Sequence, residues 1–208
     1  MRVSGFRLLL GCFAGVIGLA LAGCNQIDAQ PDGAGAGSDP TPALLERAEG
    51  GDITAQLSAG RFYRTASIEA EGAERARRES EALRWLTLAA EQENAEAQAE
   101  LGIALATAEG QNRNVAEARR WLGRAGQAGQ ASAYFMLGEL SQTGEGAAPN
   151  PVMAVGFWKK AASLGHTGSL HRLAEAHEQG LGVDPDIEAA LGYYHGFTKL
   201  CCECFHLA

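Results

Sequence analysis

The chain has 208 residues, 25 of them acidic and 17 basic, for a formal net charge of −8. That balance argues against nucleic acid as a partner, since its binding needs a basic surface to displace the counterions of the phosphate backbone. Alanine and glycine are abundant and aromatics make up only 7%, which suits closely packed small-residue helices better than a sheet.

The first element is "MRVSGFRLLLGCFAGVIGLALAGC", with Arg2 and Arg7 ahead of an apolar run from Leu8 to Gly23. The run is shorter than the about 20 residues of a membrane span and fits the apolar region of a secretory signal peptide, residues 1–23. It ends in Leu21-Ala22-Gly23-Cys24, which resembles the lipobox of bacterial lipoproteins. The resemblance implies cleavage before Cys24 and acylation (palmitate) of that thiol, a membrane anchor. Cys12 falls in the discarded segment. By analogy, Asn25 in place of an aspartate favours the outer membrane, facing the periplasm. Loss of Arg2 and Arg7 leaves 15 basic against 25 acidic groups, a net charge of −10. Residues 24–42 follow as lipidated cysteine and tether. The sequence "NQIDAQPDGAGAGSDPTP" has almost nothing to bury and is expected to be disordered, spanning about 20–25 Å on average.

Beyond it one helix is written four times at an interval of 36: "EALRWLTLAA" from Glu81, "EARRWLGRAG" from Glu117, "MAVGFWKKAA" from Met153 and "AALGYYHGFT" from Ala189. Ala82, Ala118, Ala154 and Ala190 are in step, as are Trp85, Trp121, Phe157 and Tyr193, and then Leu101, Leu137 and Leu173. Gly102 and Gly138 are answered by Ala174, while Gly110, Gly146 and Gly182 align in a loop. Asn114, Asn150 and Asp186 share a position suited to N-caps, Pro151 stands at a first helical position, and Gly129 and Gly165 stand where a helix must stop. Each unit therefore reads as helix A, glycine-containing loop, helix B; in the second unit these are about Ala95–Ala108 and Val115–Ala128. The first unit is six residues longer, the excess falling in Ile68–Ser80 as an extended, charged start to helix B. Units of about 51–94, 95–130, 131–166 and 167–200 make up a repeat domain of 43–198. Small residues at Gly60, Gly102, Gly138 and Ala174 let helices approach closely, and the aromatics of helix B are expected to fill the space between units. One unit cannot bury its own apolar face, so stacking must do it. The predicted fold is all-α, a right-handed α-solenoid of about four repeats.

The pattern A-x-x-x-L-G, G-x-G, A-x-x-W/F/Y, A-A and a terminal glycine resembles the Sel-one-like repeat, a relative of the tetratricopeptide repeat. Ala133, Leu137, Gly138, Gly144, Gly146, Ala154, Phe157, Ala161, Ala162 and Gly165 carry it in the third unit, and "EQGLGVDPDIEAALGYY" (Glu178–Tyr194) in the fourth. The resemblance covers about Ala43 to Tyr194, with Leu105, Ser141 and His177 where the family often has tyrosine. It implies a curved stack with a concave groove that holds other proteins.

No H-E-x-x-H, S-x-x-K, G-x-S-x-G or G-x-x-x-x-G-K spacing is present, so no catalytic residue is assigned. His177 reads as a packed tyrosine substitute and His166 as a turn residue, while His171 and His177 are six apart and off one helical face. Cysteine-rich relatives associated with penicillin binding or β-lactam hydrolysis carry a disulfide pair in each unit. This chain has no cysteine between Cys24 and Cys201, so that activity is not carried over. The atypical tail, residues 199–208, holds Cys201, Cys202, Cys204 and His206, candidate ligands for Zn or Cu(I). Their spacing is not a C-x-x-C pair, and a degenerate C-terminus is the preferred reading. With Phe197, Leu200, Phe205 and Leu207 this end is expected to self-associate. The functional expectation is a lipid-anchored, non-enzymatic scaffold that binds protein partners in the cell envelope and needs no cofactor. The alternatives are an envelope hydrolase or β-lactam-interacting protein, by family association, and a metal- or redox-responsive module using the tail.

Overall fold

The computed structural model describes residues 40–205, with side chains described to residue 196. Cys24, the signal segment, most of the tether and His206 lie outside the described residues. The helices are α1 (Pro42–Glu49), α2 (Ile53–Ile68), α3 (Gly72–Glu91), α4 (Ala95–Thr107), α5 (Val115–Gln127), α6 (Ala131–Thr143), α7 (Pro151–Ser163), α8 (Thr167–Gln179) and α9 (Ile187–Phe205), with a 3-10 turn at Gly110–Asn112. No strand occurs among the described residues. The helices pair as α2–α3, α4–α5, α6–α7 and α8–α9, and each B helix packs on the A helix of the next unit. A helices of successive units also touch, α2 on α4 and α4 on α6. That places the A helices on the inner side of an all-α solenoid and the B helices on its outer side.

Two seams hold the stack, the first of them set by side-chain size. Within a unit, a helix B side chain seats on a helix A glycine. A Cβ built on Gly60 would lie 2.7 Å from Leu86, on Gly102 2.6 Å from Leu122, and on Gly138 2.3 Å from the Trp158 indole. No Cβ fits at those distances. The backbones therefore close up, and Ala118, Ala125, Ala154 and Ala161 become fully buried between them. Between units, a residue near the start of helix A reaches the end of the preceding B helix. Gln56 Nε2 donates to the Ala48 carbonyl (3.0 Å) and Gln98 Nε2 to the Ala90 carbonyl (3.4 Å). In the third unit Tyr134 takes that position, and its ring lies over Gly126, where a Cβ would come within 2.9 Å.

By the same register α1 is a shortened B helix. Ala48, fully buried, occupies the place of Ala90, and Leu44 that of Leu86. It caps the N-terminal end of the stack, a role its sequence did not reveal because the aromatic signature is missing. At the other end α9 runs on to Phe205, 19 residues against 13 for α5 and α7. Helix thus continues through Cys201, Cys202 and Cys204, across the point at which a separate tail was expected.

The aromatic column differs from the expectation that each member fills the space between units. Trp85 is 2% exposed, but Trp121, Phe157 and Tyr193 are half-buried. The fully enclosed residue is the next one along the helix, Leu86, Leu122 or Trp158. The physical reason is angular: one residue turns 100° around the helix, and the glycine on helix A accepts only the inner neighbour. Leu101, Leu137 and Leu173 are buried in the core.

Polar bonds repeat with the same period. Asn114, Asn150 and Asp186 accept from the backbone N–H three residues on, at 3.1, 3.0 and 3.0 Å. Their own N–H groups donate back to the carbonyls of Leu105, Ser141 and His177 at 2.9, 2.7 and 2.9 Å. The loop is thus closed through the backbone, which tolerates a change of side chain at that column. Asp52, Asn94 and His166 cap α2, α4 and α8 in turn.

Glu93 is in the left-handed region (φ 62°), where the equivalent Gly51, Gly129 and Gly165 have φ of 90°, 92° and 87°. A side chain there costs about 1–2 kcal/mol, partly offset by the greater chain entropy of glycine. Glu93→Gly is expected to stabilise the protein by about 0.5–1 kcal/mol, seen as a higher denaturant midpoint at unchanged slope. His166 Nδ1 accepts from Ser169 N–H (3.2 Å) while its ring stacks on Phe135 at 4.4 Å. Burial pushes this imidazole below its ordinary value. In the window between the ordinary value of about 6.5 and the lower folded one, the unfolded chain binds more protons, so stability is full above that window and falls as pH falls through it. His166→Asn, which copies Asn94, should abolish this pH dependence while keeping the cap. Thermal unfolding at about pH 8 and about pH 5, roughly 1.5 units either side of the ordinary histidine value, measures the difference.

Candidate functional site

The inner face is where successive A helices present equivalent columns. At the first interface Arg61 bonds Glu96 and reaches Glu100 (3.4 Å), and Arg64 reaches Glu100 at 3.0 Å. At the third, Glu139 and Arg172 pair at 2.6 Å with the signs reversed, and Arg172 also holds Glu175 at 3.0 Å. The register places Ile103 and Met136 at the corresponding positions of the middle interface. Both are half-buried against the central core. The ladder of ion pairs is therefore interrupted by an apolar pair of positions in the middle of the stack.

A cleft of about 580 Å³ opens beside this break, between the second and third units. Ala106, Met136 and Leu140 contribute apolar floor, and Glu109, Arg113, Glu139 and Glu145 polar rim. The rim is tied down. Arg113 bonds Glu145 and donates to the Ala106 carbonyl at 3.1 Å, while Arg119 donates to the carbonyls of Glu145 (3.0 Å) and Leu140 (2.7 Å). A smaller cleft of about 190 Å³ lies between α2, α3 and α4 and includes the buried Glu79. That carboxylate is spoken for: Arg75 donates at 3.2 Å, Glu109 N–H at 3.3 Å and Asn112 Nδ2 at 3.4 Å. It pins the long α3 to the next unit's loop.

His166, His171 and His177 serve capping, pairing and packing respectively. His177 is half-buried against Tyr193, with ring centroids 5.5 Å apart, and His171 pairs with Glu175 at 3.3 Å. Among the described residues no three His, Cys, Asp or Glu side chains come together as a metal site. The side chains of Cys201, Cys202 and Cys204 are outside that description. Sequence reasoning located the repeat positions but missed Ile103 and Met136. Their signal was present as a break in an Arg/Glu column at the repeat period, visible only once the columns are known to face each other.

A family model for the Sel1 repeat matches residues 63–94, 95–130, 131–166 and 168–195. Among solved structures, a Sel1 repeat protein from Oxalobacter formigenes shares 26% identity at a TM-score of 0.57, over 76% of this chain and 62% of that one. The protein c5321, a protective antigen of uropathogenic Escherichia coli strains displaying an SLR fold, shares 26% identity at 0.62, over 79% of this chain and 35% of that one. The chain thus spans about three-fifths and one-third of the lengths of these relatives. No curated protein matches it significantly. Four matched units covering most of the chain, on a stack of helix pairs with the same period, establish that it belongs to the Sel1 repeat family.

Proposed function

We propose that this protein is a lipid-anchored scaffold of the bacterial cell envelope, facing the periplasm, that holds a protein partner against its inner face without catalysing a reaction. The Sel1 repeat fold is typically a protein–protein interaction scaffold. The observation that carries the reading is the apolar break at Ile103 and Met136, beside a cleft of about 580 Å³ with a pinned rim. Apolar anchors surrounded by ordered polar groups are where interface energy concentrates. Anchoring through Cys24 and placement at the outer membrane rest on the lipobox-like Leu21–Cys24 and on Asn25.

Self-association through the C-terminal end belongs to the same proposal. Pro151 and Val155 are covered by the loop of the next unit, with Gly182 against Pro151 and Val183 in the core cluster of Val155. The equivalent residues of the last unit, Ile187 and Leu191, are 60% and 52% exposed. The hydrolase reading rests on family association alone, and the metal or redox reading on side chains outside the described residues.

The test is cross-linking in intact cells from a photoreactive residue at position 136, with Cys24→Ala compared by membrane fractionation. A discrete partner should be captured, and Ile103→Glu should reduce capture roughly tenfold, the loss of one strong anchor. Cys24→Ala should leave the membrane fraction or remain unprocessed. Capture only from outer-face positions would overturn the inner-face reading, and unchanged membrane association and acyl labelling the anchor.

A further inference from the structure

Charge is unevenly distributed along the chain. Residues 40–114 hold thirteen acidic and eight basic groups and residues 175–208 hold six and one, but residues 115–174, from the start of α5, hold three acidic and six basic. Of those three acids, Glu139 and Glu145 are paired with Arg172 and Arg113 towards the inner face and the loops, and Glu117, exposed in the first turn of α5, accepts from Asn114 Nδ2 (3.1 Å) and Trp121 Nε1 (3.3 Å). Arg119 is spent on backbone carbonyls. The remaining cations, Arg120, Arg124, Lys159 and Lys160, are all exposed on the outer helices α5 and α7, and none belongs to an ion pair among the described residues.

Aromatic rings hold two of them in place. The Arg124 guanidinium lies 4.9 Å from the Trp121 ring centroid, and the Lys160 ammonium 5.3 Å from Tyr134 and 6.0 Å from Phe157. The lysines of α7 share the outer surface with Val152 and Met153 and with Leu164 just after the helix, which are 68%, 49% and 45% exposed. Cations interleaved with exposed aliphatic side chains and half-buried aromatics form the outward face of an interfacial helix. The described clefts open elsewhere, among A-helix and loop residues. This face is thus an exposed helical surface. From this charge and shape complementarity we infer that the outer face of α5 and α7 docks on an anionic phospholipid surface, phosphates meeting the four cations and the aliphatic side chains entering the headgroup boundary. The inference does not depend on the lipid anchor, since the outer helices carry it alone.

The chain from residue 25 onward contains every residue of the described fold and carries no lipid when made without the signal segment. Its co-sedimentation with phosphatidylglycerol–phosphatidylcholine vesicles should exceed that with phosphatidylcholine alone and fall away at about 0.5 M salt, where screening shortens to a few ångströms. Each cation near such a surface raises partition about fivefold. Arg120→Gln with Lys159→Gln, which leaves both ring contacts intact, should therefore lower binding roughly 25-fold with unchanged thermal unfolding. Met153→Ser with Leu164→Ser should weaken it at constant charge. Equal binding to neutral and anionic vesicles, or binding unaffected by the charge variant, would overturn the proposal. So would binding of polyglutamate through these cations by a chain that ignores the vesicles, which would reassign the face to an acidic protein segment.

Discussion

The absence of a side chain at one position of each A helix governs the distance between the two layers. Gly60, Gly102 and Gly138 receive Leu86, Leu122 and Trp158 where a Cβ would lie within 3 Å of the incoming side chain. At that separation alanines suffice to fill the interior, and few large side chains are needed. Leu86, Leu101, Leu122 and Leu173 are the fully buried ones, and most of the remaining core is alanine. Short contacts of this kind are individually small and collectively large, and they leave little room for water or for a shifted register.

The rest of the molecule follows from that spacing. The close A–B pairs stack one on the next, and the A helices meet along the inner face, where Arg61–Glu100 and Glu139–Arg172 bridge neighbouring units. Such half-buried surface pairs contribute modestly to stability, so their value lies in fixing which side chains line the inner face. The second loop glycine docks on the preceding unit, with Gly182 against Pro151. The N-terminal end is covered by α1, and the last unit leaves Ile187 and Leu191 exposed. Among the described residues the protein therefore offers three distinct surfaces: an inner face with an apolar break, an outer cationic face and the exposed Ile187 and Leu191 of α9.

The fold was legible because a period of 36 acts on residues with strong local meaning. Asn114 and Asn150 as caps, Gly129 and Gly165 as helix stops and Pro151 as a helix start each match the geometry found. What stayed hidden needed knowledge of facing surfaces. The column of Trp121 draws the eye by size, yet the neighbouring Leu122 is the one the glycine encloses. Tyr134 on Gly126 and Gln98 on Ala90 solve the same inter-unit contact with different chemistry, so no residue identity betrays it. α1 lacks the repeat signature because a cap needs only one good face. Ile103 and Met136 look like ordinary core residues until Arg61 and Glu139 are seen to hold the equivalent place.

The central claim is that the seam between helix A and helix B is set by complementary size at the glycine. A double-mutant cycle on Gly102 and Leu122 tests it most directly. Leu122→Ala should cost about 2–5 kcal/mol by leaving a cavity, and Gly102→Ala about 1–3 kcal/mol by overpacking. In the double mutant the new methyl enters the space the leucine vacates, so the combined cost should fall short of the sum by at least about 0.5 kcal/mol. Strictly additive costs, or a Gly102→Ala variant as stable as the parent, would contradict the account.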